Sequence, residues 1–111
     1  MMIPVTTLAL VIPLTMALAD DVPRLNVEPV CHGIARQGAL DLEPGQSVQQ
    51  AFRSCVTSEM AVRRQLVKQW SGFTASERTN CIGEATAGGQ SSYTDLLTCL
   101  QMSRDARKLA Q

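Results

Sequence analysis

Residues 47–73, SVQQAFRSCVTSEMAVRRQLVKQWSGF, contain the longest regular hydrophobic pattern in the chain. Ser47 followed by Gln50 is a capping-box pattern, which predicts that a helix begins at this serine, and Gly72 predicts its end. Between these limits the stretch predicts one long amphipathic helix whose apolar face needs partners. Apolar side chains recur along it at steps of three, four or seven, the spacing of one helical face; they are Val48, Phe52, Cys55, Val62, Leu66 and Phe73.

Three shorter helices are predicted around this long one. Pro29 suits the first turn of a helix, Thr74 with Glu77 forms a second capping box, and Ser92 with Asp95 marks another helix start. No stretch shows the alternation of a β-strand. The predicted fold class is therefore all-α: a small disulfide-stapled bundle of about four helices, arranged as two helical hairpins. The predicted limits of the shorter helices are Glu28 to Gly38, Thr74 to Gly88-Gly89, and Ser92 onward, with a loop over residues 39–46.

The amino-terminal residues have the layout of an export signal. An uncharged apolar run from Ile3 to Leu18 ends in Ala17-Leu18-Ala19, and acidic residues follow at once. The competing interpretation is an uncleaved membrane anchor, but the run is short of the roughly 20 residues that span a bilayer. We therefore expect a signal peptide over residues 1–19, an extended lead-in over 20–27 and the helical domain over 28–111. This predicts a periplasmic or secreted protein that contacts a membrane only through an uncleaved leader.

The charge balance limits the classes of partner. The chain has ten basic and ten acidic residues, all of them after the predicted leader, so the net charge is near zero. A nucleic-acid binder needs a basic face, and this composition does not predict one. The sequence indicates no oligomeric state.

The four cysteines, an even number behind an export signal, predict a disulfide framework. No Cys-x-x-Cys or Cys-x-x-Cys-His occurs, and structural zinc sites bring ligands two to four residues apart. We therefore predict no metal and no cofactor. Met60, Met102 and His32 could form a copper site only if the fold brought them together, and methionine is more often a core filler. The disulfide cysteines are Cys31, Cys55, Cys81 and Cys99.

The distance of each cysteine from the loop that joins its two helices favours one pairing, because facing residues of a helical hairpin lie equally far from that loop. At 1.5 Å per residue, Cys31 and Cys55 lie about 9 and 12 Å from the loop between the first two helices, and Cys81 and Cys99 each lie about 9–10 Å from the last loop. A Cys55–Cys81 pair would instead join points about 22 and 10 Å from the turn between them. Sequential pairing, Cys31–Cys55 and Cys81–Cys99, is the prediction.

Two residues are candidates for chemistry, and no catalytic residue is predicted from either. Glu59 falls on the apolar stripe of the long helix, where it is a general acid or base or, on the simpler interpretation, a partner of Arg63 in a structural ion pair. His32 follows Cys31, but neighbouring helical residues point about 100° apart and an oxidised cysteine cannot attack. The simpler interpretation is an exposed histidine beside a disulfide.

Trp70 and Phe73 are the candidate binding surface. Tryptophan is enriched in the hot spots of protein interfaces, so an exposed pair at the end of the long helix would form a recognition patch. The alternative is that the two rings cover the core of the bundle.

The spacing Cys55-x3-Glu59, Trp70-x2-Phe73, Cys81 and the segment Ser92-Tyr93-Thr94-Asp95-Leu96-Leu97-Thr98-Cys99-Leu100 resembles a group of small exported proteins of Gram-negative bacteria with four cysteines. The resemblance covers residues 30–102. It implies export and a shared fold, and it transfers no functional residue because no activity is established for the group.

Three functions are compatible with these features. The first is a non-catalytic interaction or structural module whose partner is an unknown protein or envelope component. The second is a carrier of a small apolar ligand such as a lipid. The third is an enzyme that uses Glu59 or His32.

Overall fold

The computed structural model of the chain describes residues 2–5, 9, 21–38 and 45–111, which form four α-helices and no β-strand. The predicted all-α class is confirmed. The predicted leader, residues 1–19, and the predicted loop, residues 39–46, lie largely outside the described residues. Among the helices of the described part, none has the length and apolar character needed to cross a membrane. The helices are α1 (Glu28–Gln37), α2 (Val48–Gln69), α3 (Ala75–Thr86) and α4 (Tyr93–Leu109), with 3-10 turns at Trp70–Gly72 and Ala87–Gly89.

The helix starts follow from local hydrogen bonding. Ser47 Oγ accepts from the backbone N–H of Gln50 at 3.1 Å, and Gln50 Oε1 accepts from the backbone N–H of Ser47 at 2.9 Å. Thr74 and Glu77 repeat this arrangement at the start of α3. Both predicted capping boxes are confirmed, and each satisfies backbone donors that a helix start leaves free. α2 ends three residues before the predicted glycine because its last turn tightens into a 3-10 turn.

Two disulfides staple the hairpins in the predicted sequential pairing. Cys31–Cys55 joins α1 to α2 with Cα atoms 5.5 Å apart, and Cys81–Cys99 joins α3 to α4 with Cα atoms 5.6 Å apart. These separations are ordinary for unstrained crosslinks. Each disulfide restricts the unfolded chain and contributes about 3 kcal/mol through loop-closure entropy. Two such bonds indicate an oxidising, extracytoplasmic environment.

The core lies where α2 meets both of its helical neighbours. α2 packs against α1 on one side and α4 on another, while α3 packs against α4, so α2 connects the two hairpins. Trp70, in the 3-10 turn after α2, and Phe73, which follows that turn, contribute aromatic side chains to the same core. The most deeply buried side chains are Leu66, Leu96, Leu100, Cys31 and Cys81.

The predicted lead-in is part of this core. Residues 21–27 form no helix, but Val22 and Val27 are each only 6% exposed. The backbone N–H of Leu25 donates to the hydroxyl of Tyr93 at 2.8 Å. The segment is therefore held along α4 and α2, and it forms one wall of the cleft described below.

Candidate functional site

Glu59 lies in the middle of α2 and is only 6% exposed, as its place on the apolar stripe predicts. One carboxylate oxygen, Oε2, accepts from the backbone N–H of Tyr93 at 2.6 Å and, more weakly, from that of Thr94 at 3.4 Å. The other, Oε1, accepts from the hydroxyls of Thr94 at 2.6 Å and Ser92 at 3.1 Å. The carboxylate thus caps the first turn of α4, where free N–H groups and the helix dipole favour a negative charge.

The predicted ion pair between Glu59 and Arg63 does not form among the described residues, and this prediction is corrected. The carboxylate turns to α4 because backbone N–H donors buried at a helix start have no other partner. The guanidinium of Arg63 lies instead 6.0 Å from the centre of the Tyr93 ring. Its Nε atom is buried and has no hydrogen-bond partner in the described part of the chain.

His32 is exposed on α1 and stacks on Phe52 of α2, with ring centroids 4.1 Å apart and an angle of 15° between the rings. Its neighbour Cys31 is buried in a disulfide, so the structure does not assemble a thiol–imidazole pair. Met60 and Met102, the other residues of the copper hypothesis, are exposed on α2 and α4. Within the described ranges, no group of three or more histidine, cysteine, aspartate or glutamate side chains is placed to hold a metal ion.

Trp70 and Phe73 do not form an exposed recognition patch, which corrects the predicted binding surface. Trp70 is 7% exposed and Phe73 is 2% exposed, because the 3-10 turn after α2 directs both rings into the core. Arg78 lies over the Trp70 ring at 5.2 Å and donates to the Trp70 carbonyl, while Arg104 lies over the Phe73 ring at 5.4 Å. The alternative interpretation, that these rings cover the core of the bundle, is the one the structure supports.

The basic end of α4 contacts α3 and the turn that precedes it. Arg107 Nε contacts Glu77 Oε1 at 3.2 Å, and its Nη2 donates to the Gly72 carbonyl at 3.1 Å. The backbone N–H of Thr74 donates to the Glu77 carboxylate and lowers the pKa of that group, and Arg107 lowers it further. These residues act as a structural clasp.

The arginine cleft, as we call it, is a concavity of about 480 Å³ between the amino-terminal segment and the second half of α2. It opens to solvent. Sequence patterns did not indicate it, because one wall comes from a segment whose packing depends on the distant Tyr93 hydroxyl. Its lining residues are Asp21, Val22, Pro23, Arg24, Arg63, Val67 and Trp70.

The lining of the arginine cleft has a net positive charge, from two arginines and one aspartate. Neither Arg24 nor Arg63 pairs with a carboxylate in the part of the chain that the structure describes. Arg63 Nε and Trp70 Nε1 are both buried, and neither has an acceptor in the described ranges. Buried donors without partners are rare in folded proteins, because each costs about 1–3 kcal/mol. Both donors belong to residues that line one cleft, and together with its two arginines they mark this cleft as the candidate functional site.

Comparison of the chain with protein-family models, with curated proteins and with solved structures finds no match. The function is therefore argued from the geometry of the cleft and of the network around Glu59.

Proposed function

We propose that the chain is a non-catalytic interaction module of the periplasm or the secreted fraction, and that its partner, a protein or an envelope component, docks in the arginine cleft. The single observation behind this proposal is the unpaired Arg63 guanidinium beside the exposed Val67 and the apolar wall of the cleft. Interfaces of this kind combine an arginine with apolar contact area.

The carboxylate of Glu59 and the four cysteine sulfurs are already engaged within the fold, which supports a binding role over a catalytic one. Both oxygens of Glu59 already accept hydrogen bonds from the start of α4, and all four cysteines are in disulfides. A general base must reach a proton on its substrate, and here backbone and hydroxyl donors occupy the carboxylate.

Site-specific photocrosslinking tests the docking surface. A photoreactive residue at Val67 should capture a discrete partner in cells that make the protein. Ile34 is the matched control, because it is an aliphatic residue with the same 54% exposure but lies on α1, outside the cleft. A discrete adduct at Val67 and none at Ile34 is the expected result. Identical patterns at the two positions, or no adduct at either, would count against the proposal.

Intact mass of the protein recovered from the envelope or the medium tests the compartment. We expect a chain that begins at Asp20 and gains the mass of four hydrogens on reduction. A chain with its leader in place and four free thiols would remove the basis for a periplasmic or secreted location.

A carrier of a small apolar ligand is the second candidate, favoured by the apolar surfaces of Val22, Pro23 and Val67 in the cleft. Its volume is within the range of about 300–1,000 Å³ that is usual for small-molecule sites. Native mass spectrometry separates the candidates, since a carrier purified from cells should retain a bound lipid and an interaction module should show the mass of the polypeptide alone.

A further inference from the structure

The two walls of the arginine cleft come from different parts of the chain, and buried side chains hold both of them in place. One wall is the end of α2 with the first residue of the turn after it, where Arg63, Val67 and Trp70 follow each other at steps of four and three and therefore share one face. The other is residues 21–24, held by the buried Val22 and by the bond from Leu25 to Tyr93. Trp70 fixes one wall and Val22 the other through their burial in the core. The cleft is therefore preformed, and a ligand does not have to order it.

The charges in the cleft specify the kind of group that would occupy it. Arg63 is half-buried and Arg24 is exposed, and neither pairs with a carboxylate among the described residues. A guanidinium group can only donate hydrogen bonds, so a ligand that is complementary to these two arginines must bring acceptors. A carboxylate satisfies this need and also neutralises the charge, and it matches the planar fork of arginine.

We infer that the arginine cleft binds an acidic peptide segment of a partner protein, with carboxylates on Arg63 and Arg24 and an apolar side chain against Val67 and Pro23. This inference rests on the proposed function and names the chemistry of the partner. A peptide suits the site better than a small amphiphile, because the cleft is open and a buried small ligand would need 70–90% of its surface covered.

The aspartate in the cleft limits how many acidic residues the bound peptide can carry. Asp21 also lines the cleft, so two arginines face one aspartate and the net charge of the lining is a single positive one. A highly acidic tract would be repelled by Asp21. The preferred segment therefore carries one or two acidic residues next to an apolar anchor.

Selection from a random peptide library displayed against the exported, disulfide-bonded protein tests this inference directly. We expect enriched peptides in which one or two Asp or Glu residues flank an apolar or aromatic residue. Trp70 is the only tryptophan in the chain, so its fluorescence reports binding of a tryptophan-free peptide in the cleft.

Charge-removing variants show whether the arginines make the contact. Arg63→Gln should weaken an enriched peptide about tenfold or more, and Arg24→Gln, at a more exposed position, should weaken it less. Arg64→Gln is the matched control, since it removes the same charge from the next residue of α2, which is exposed and outside the cleft. Its affinity should stay within about twofold of the unmodified protein. Thermal unfolding of each variant confirms that the fold is intact.

Three results would overturn the inference. They are a selection without enrichment, enrichment of peptides that lack acidic residues, or equal losses in the Arg63 and Arg64 variants. Binding of vesicles that contain an anionic phospholipid, in the absence of peptide binding, would assign the cleft to lipid instead. If the Val67 crosslink forms but the arginine variants bind normally, the docking surface stands and only its proposed chemistry fails.

Discussion

Replacing Glu59 by glutamine and by alanine should give two different losses of stability, because the two oxygens of this carboxylate accept from donors of different kinds. Oε2 accepts from backbone N–H groups, which cannot turn away. Oε1 accepts only from the hydroxyls of Ser92 and Thr94, which can rotate. In Glu59→Gln the amide oxygen can take the place of Oε2, and the amide nitrogen can donate to the hydroxyl oxygens.

The expected loss of unfolding free energy depends on which hydrogen bonds and which charge each substitution removes. Glutamine keeps the hydrogen bonds but loses the charge at the start of α4, which is worth about 1 kcal/mol in a partly buried setting. Alanine leaves the buried N–H of Tyr93 without an acceptor, at about 1–3 kcal/mol, and also loses the charge and the bonds to the hydroxyls. We therefore expect about 1 kcal/mol for Glu59→Gln and about 3–4 kcal/mol for Glu59→Ala.

Urea unfolding of the oxidised protein, followed by circular dichroism, measures both losses. Asp105→Asn is the control, because it removes an exposed carboxylate whose ionic partner among the described residues is the neighbouring Arg104. It should change the unfolding free energy by less than about 0.5 kcal/mol. Equal losses in the two Glu59 variants would show that the hydroxyls do not rotate to accept as argued. Losses no larger than that of the control would show that Glu59 does not cap α4.

Three further predictions concern the clasp, the crosslinks and one turn. The pKa of Glu77 is lowered in the folded protein, so the ionised carboxylate stabilises the fold above its unfolded pKa near 4.5, and this stabilisation is lost as the pH falls below that value. Glu77→Gln keeps the capping box but has no charge to titrate, so in thermal unfolding it should lose less stability than the unmodified protein between about pH 6 and 3. Equal losses in the two proteins would contradict this. Replacing either disulfide by a pair of alanines should lower the unfolding free energy by about 3 kcal/mol in urea, and a loss under about 1 kcal/mol would refute the loop-closure estimate. Gly88, in the turn after α3, has φ of 75°, so Gly88→Ala should lower the unfolding free energy by about 1 kcal/mol. Gly33→Ala inside α1 is the comparison: an added Cβ meets nothing within 4 Å there, so this variant should not be destabilised.

The helices and crosslinks were predictable because their determinants are local. Each capping box joins residues three apart, and hydrophobic periodicity identifies the buried face of α2 without reference to any partner. The pairing of the cysteines also followed, since two helices joined by a short loop place residues of equal depth side by side. Small differences, such as the 3-10 turn at the end of α2, arise where tertiary packing overrides a local end signal.

The candidate site was only partly predictable. The apolar stripe marked Glu59 as a buried carboxylate, but the sequence offered Arg63, four residues away, as its nearest partner. The donors that it meets belong to residues more than thirty positions further along the chain. They prevail because buried backbone N–H groups have no alternative acceptor, whereas the guanidinium of Arg63 reaches the cleft and its solvent.

Local chemistry in the chain therefore determined which residues are helical, where each helix starts and which sulfurs are joined. Tertiary structure alone decided that Glu59 caps α4, that Trp70 and Phe73 are buried, and that Arg24 and Arg63 share a cleft. The physical reason is that helix starts and hairpin pairings depend on atoms a few residues apart or symmetrically placed about a loop. The partner of a buried charge and the shape of a cleft depend on how whole helices and the amino-terminal segment pack together.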